Sequence, residues 1–82
     1  MRYTVIWRQL ALDTLADLWF SSNRRESITQ SVDEIDRLLR HDPEQCGEEY
    51  YGDRIVVVNL LEVIFQVQED DRIVEVITIW HR

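Results

Sequence analysis

The sequence predicts an α+β domain with elements in the order β-α-α-β-β-β, a helical hairpin packed on one face of a mostly antiparallel four-stranded sheet. Three observations predict it. The hydrophobic pattern changes near position 9 from the alternation of a strand to the spacing of a helix. Ile28, Val32, Ile35 and Leu39 then recur at intervals of 4, 3 and 4, one face of a second helix. From Arg54 onward the chain alternates through β-branched stretches separated by short turns.

The first strand is Tyr3-Thr4-Val5-Ile6-Trp7-Arg8, rich in β-branched and aromatic residues, with Tyr3, Val5 and Trp7 on one face. In residues 9–21, Ala11, Leu12, Leu15, Ala16, Leu18 and Trp19 fall at helical spacing, and Asp13 and Asp17 lie on the other side. Ser22 and Asn23 leave room for a tight connection, so the two helices form an antiparallel hairpin. Asn23 followed three residues later by Glu26 has the form of a capping box opening the second helix. His41-Asp42-Pro43 closes it, because the residue before proline is pushed out of the α region. A loop from Asp42 to Asp53 holds the single proline and both glycines. The remaining strands are Arg54–Asn59, Leu61–Gln68 and Arg72–His81, with Glu69-Asp70-Asp71 as an acidic turn. Alternation puts Val63, Phe65 and Val67 on one face of the third strand, and Val74, Val76, Thr78 and Trp80 on one face of the last. Short turns make these three strands an antiparallel meander. The first strand joins the same sheet, since alone it buries neither Tyr3 nor Trp7.

An 82-residue chain with 45% hydrophobic and 30% charged residues suffices for one domain, spanning residues 1–82, with one core. No apolar run nears the roughly 20 residues that span a bilayer, and the opening Met1-Arg2-Tyr3-Thr4-Val5 has no signal-peptide character. One cysteine, Cys46, has no partner for an internal disulfide. These features predict a cytoplasmic protein without membrane association.

The net charge of −7 lies in one half of the chain. Residues 1–40 balance six arginines against six acids, whereas residues 41–82 set three arginines against ten acids. Such a surface repels nucleic acid and favours basic partners. There is no lysine, which excludes amine chemistry. Cys46, His41 and His81 are too scattered for a zinc site, and no glycine-rich phosphate loop or nucleophile elbow is present. No metal or cofactor is therefore expected. Cys46 sits among Glu44, Glu48 and Glu49, the opposite of the electropositive setting a reactive thiolate needs. Arg54 and His81 stand at strand ends, where a histidine serves as acid or base and an arginine as a phosphate clamp. As the bland alternative, they are an exposed histidine and a solubilising arginine.

Two stretches carry a family resemblance, DEIDRLLRHDPEQCGEEYYGDRIVVV over residues 33–58 and LEVIFQVQEDDRIVEVITIWHR over residues 61–82. They combine a helix ending in Leu-x-x-x-Pro, a glycine loop, an arginine opening a strand, an aromatic at Phe65 and a last strand ending in His-Arg. In this order the chain resembles the RelE/ParE superfamily of toxins from type II toxin–antitoxin modules, sometimes called plasmid stabilisation proteins. The resemblance implies a small bacterial toxin neutralised by a cognate antitoxin that wraps it. RelE-like members cleave mRNA in the ribosomal A site; ParE-like members poison DNA gyrase.

The resemblance assigns candidate catalytic roles to Arg54, His81 and Arg82. Glu62 falls where ribonuclease members commonly have arginine, and no tyrosine follows Arg82. The first expectation is thus a toxin acting mainly by binding a protein target such as gyrase. A ribosome-dependent mRNA interferase with a reduced site of Arg54, His81 and Arg82 is the second. The third is a non-toxic member acting as an interaction module. His81 and Arg82 are expected near Arg54 on the sheet face that the helices leave open, which in a ribonuclease member would be the cleavage site.

Overall fold

The computed structural model of the chain describes residues 2–82. Its elements are β1 (Thr4–Trp7), α1 (Gln9–Ser21), α2 (Arg25–His41), β2 (Glu48–Tyr50), β3 (Asp53–Val58), β4 (Leu61–Gln68) and β5 (Ile73–His81). The sheet has five strands in the order β1-β5-β4-β3-β2. β1 runs parallel to β5, and the other pairs are antiparallel. The extra strand, β2, lies inside the segment expected to be a loop. Tyr51 and Gly52, both at positive φ (49° and 87°), form the two-residue turn that folds Glu48–Tyr50 back onto β3.

Both helices cover the same face of the sheet. Ile28, Ile35 and Leu39 of α2 and Ala11 of α1 form one core with Val56, Leu61, Val63, Phe65, Val74, Val76 and Ile79. Leu15, Leu18 and Val32 pack against it partly buried, as do Tyr3, just before β1, and Val5 and Trp7 of β1. This matches the helix and strand faces read from the sequence, with one exception in β5. There the register slips between Ile64 and Phe65, so that Phe65 pairs with Val76 while Ile64 pairs with Thr78. One residue is left over, and the alternation beyond it is inverted. Ile79, not Thr78 or Trp80, therefore continues the buried row of Val74 and Val76.

The start of α2 also differs from the expectation. Arg24, not Asn23, is the N-cap, and no side chain caps the helix. Instead Ser22 Oγ accepts a 2.8 Å bond from the Arg24 N–H, holding the turn one residue later in the chain. Glu26 stays in the first turn, where its charge favours the helix N-terminus. The α2 end is as expected, with Asp42 as C-cap and its N–H bonded to Leu38 O. Asn59 takes φ 56° in the β3–β4 turn, a conformation asparagine tolerates, and its Nδ2 donates to Ser31 Oγ at 2.6 Å. That bond ties the turn to α2.

Candidate functional site

The face opposite the helices has no covering element among the described residues. Alternation from the core row places Ile55 and Val57 of β3, Glu62 and Ile64 of β4, and Thr78 and Trp80 of β5 on it. On one of its inner strands, next to the β3–β4 turn, stands a carboxylate. Glu62 is 8% exposed, lies directly across from Trp80 on β5 and Val57 on β3, and accepts a charge-assisted hydrogen bond from Arg82 Nε. Arg82 follows the end of β5 and donates its backbone N–H to Leu60 O at 2.7 Å. Its side chain is 59% exposed, that of Glu62 only 11%. A nearly buried carboxylate is thus balanced by a cation that remains in water.

The three candidate catalytic residues are not brought together there. Arg54 alternates with Val56 and pairs with Phe65, both in the core, so it lies on the helix side of the sheet. Its guanidinium donates to Cys46 O (3.3 Å) and Gly47 O (3.1 Å), and its Nε is buried without a partner. His81 pairs with Leu61, four residues along β4 from the partner of Arg54, a separation of about 13 Å along the strand. His81 is exposed and lines an open hollow with Ser22, Arg24, Asn59 and Leu60, at the helix-hairpin end of the molecule. Arg82 alone of the three reaches the open face, where Glu62 takes it up. The expected juxtaposition of Arg54 with His81 and Arg82 on the uncovered face is therefore corrected. The β5 bulge and the β3–β4 register set which side each residue faces, and neither is visible in a pattern of residue types.

Most of the positive charge is already engaged. Arg8 pairs with Glu75 (2.7 Å), Arg40 with Asp36 (2.6 Å) and Arg37 with Glu34. The Arg37 hydrogen bond holds the Glu34 carboxyl below its usual range. Arg25 lies over the Trp19 ring at 4.9 Å and donates to the Trp19 and Phe20 carbonyls, while Arg72 lies over Tyr3 at 5.6 Å. Cys46 is half-buried behind β3, and burial pushes its thiol above the ordinary range despite the nearby Arg54. A raised thiol is a poor nucleophile at neutral pH. Alkylation of Cys46 by iodoacetamide at pH 8 is expected to run at least about tenfold slower in the native protein than in urea; equal rates would contradict the placement.

A second surface went unnoticed in the sequence. Leu12, Ala16, Trp19 and Phe20 of α1 and Ile28 and Val32 of α2 line an apolar groove of about 370 Å³ between the helices. Phe20 is 69% exposed and packs edge-on against Trp19 at 5.5 Å. The signal was present: α1 has more apolar positions than one core-facing stripe needs.

No group of histidine, cysteine, aspartate and glutamate side chains among the described residues is arranged to hold a metal. Among the described residues, no helix is long and apolar enough to cross a membrane.

Comparison with known proteins assigns the family. Residues 5–82 match the family described as the ParE toxin of the type II toxin–antitoxin system parDE. The chain belongs to this family, within the RelE/ParE superfamily of toxins. No curated protein matches the sequence. Among solved structures, the chain is similar to the toxin–antitoxin complex RelBE2 from Mycobacterium tuberculosis, with 16% identity, TM-score 0.85, and coverage of 100% of this chain and 93% of that one. It is also similar to the chromosomal ParDE system from P. aeruginosa (18% identity, TM-score 0.73, coverage 98% and 96%). A third likeness is to the archaeal RelE–RelB complex from Pyrococcus horikoshii (16% identity, TM-score 0.68, coverage 100% and 97%). At these identities the likeness is one of fold.

Proposed function

We propose that this toxin acts by binding a protein target, with DNA gyrase the first candidate, and is neutralised by a cognate antitoxin. The observation that carries this reading is the Glu62–Arg82 pair on the open face. A phosphate that gains charge in a cleavage transition state needs cations around it. On the open face, where the resemblance would put that phosphate, Glu62 brings a negative charge and Arg82 is spent on neutralising it. Arg54, which a ribonuclease reading would add, is turned to the other side and bound to two carbonyls.

Two further features support protein binding. The net charge of −7 and the engagement of most arginines leave little to release counterions from a phosphate backbone. The open face and the inter-helix groove both offer exposed apolar side chains, the usual material of protein interfaces. Several of the solved structures that share this fold are toxin–antitoxin complexes, which fits the antitoxin as a partner.

The test adds the purified protein, freed of antitoxin, to gyrase and relaxed plasmid. Loss of ATP-dependent supercoiling, reversed by prior addition of the cognate antitoxin, is the expected result. Undiminished supercoiling at a large molar excess would remove gyrase as the target. Normal growth of cells expressing the protein without antitoxin would overturn the toxin reading in favour of a non-toxic interaction module.

A further inference from the structure

Glu62 and Trp80 make a combination that the fold does not require. On the open face, a position this shielded beside Val57 and Ile64 suits an aliphatic residue, and a carboxylate there is costly unless paired. Its counterion comes from Arg82, which lies beyond the last strand residue, is more than half exposed and is anchored by one backbone bond to Leu60. Segments of this kind open at little cost. The pair is therefore asymmetric: the anion is fixed in the sheet and the cation is exchangeable.

We propose that Glu62 and Trp80 form a receptor for an arginine side chain of a partner, which replaces Arg82 when the partner covers the open face. This rests on the protein-binding reading above. The occupant is an amphipathic helix with one arginine inside its apolar stripe. Three features argue for that chemistry. An uncovered sheet face is completed by a helix layer, and beside Glu62 it offers the apolar side chains of Val57 (40% exposed), Ile64 and Trp80. A partner that covers Glu62 and pushes Arg82 aside must supply a cation, because an unpaired buried carboxylate is strongly penalised. An indole on the same face, directly across from the carboxylate, suits a planar guanidinium better than a compact ammonium. The acidic surface of residues 41–82 attracts such a helix from a distance.

The exchange predicts opposite effects for the two members of the pair. The probes are two synthetic helices of about 18 residues, built of alanine, glutamine and a leucine stripe, with either one arginine or one glutamine at the stripe centre. Binding is followed by Trp80 indole resonances in NMR titrations. The arginine helix is expected to bind about tenfold more tightly than the glutamine helix. Glu62→Gln should abolish that preference, and Arg82→Ala should strengthen arginine-helix binding by removing the competitor. Weaker binding by Arg82→Ala would overturn the proposal, since it would mean that the Glu62–Arg82 pair stays intact beneath the partner. Equal affinity for both helices would overturn it as well. Thermal unfolding of each variant, with unchanged NMR dispersion, shows that the comparison is made on folded protein. An arginine preference without gyrase inhibition would sink the gyrase reading and leave the receptor standing. Gyrase inhibition without an arginine preference would do the reverse.

Discussion

Replacing Ile35 by alanine is expected to lower the unfolding free energy by about 2–5 kcal/mol. Ile35 has no exposed surface and sits at the centre of the α2 face, between Ile28 and Leu39, against the sheet core. Truncation removes apolar surface from burial and leaves a cavity that a helix tied at two points along its length does not readily collapse. Asn59 fixes α2 to the β3–β4 turn through Ser31, and the Tyr3 N–H fixes β1 to the end of α2 through Arg40 O. Domains of this size have little stability to spare. Urea denaturation monitored by far-UV circular dichroism measures the loss. A change below about 1 kcal/mol would mean that α2 packs with another face.

Gly47→Ala is expected to destabilise by more than about 2 kcal/mol, and to disturb the setting of Arg54 as well as the fold. Gly47 has φ 76°, which costs any other residue strain, and a Cβ there would stand 2.2 Å from Ile55 O. The loop must then move away from β3. The Gly47 and Cys46 carbonyls would move with it, releasing the Arg54 guanidinium. Gly52→Ala is the matched control, since Gly52 also has positive φ, 87°, but nothing lies within 4 Å of its added Cβ. It should cost about 1 kcal/mol. The difference between the two variants in urea midpoints isolates the clash; equal losses would place Gly47 wrongly against β3.

Much of the fold was legible because it depends on periodicity. The interval pattern of α2 identified Ile28, Ile35 and Leu39, and alternation identified the buried faces of β1 and β4. What escaped was set by single backbone events. β2 is three residues long and wholly exposed, Glu48–Tyr50, so no apolar alternation announces it; the positive φ values at Tyr51 and Gly52 create it. The β5 bulge inverts the faces of Thr78 to His81, and a sequence of β-branched residues reads equally well with or without it. The site suffered from the same cause. Arg54, His81 and Arg82 were correctly seen to stand at strand ends, but their sides of the sheet follow from register and bulge. Glu62 stood out in the sequence as an acid in an arginine's place. Its near-complete burial and its pairing with Arg82 needed the third dimension.

We propose that this ParE-family toxin works through protein contacts at an open face that carries the Glu62–Arg82 pair. The direct test is a translation extract with programmed ribosomes, treated with the purified protein freed of antitoxin and read by primer extension on the mRNA. No codon-specific A-site cleavage is expected, with identical lanes for the wild type and His81→Ala. Codon-specific cleavage by the wild type that disappears in His81→Ala would contradict it and make His81 a catalytic residue of an mRNA interferase.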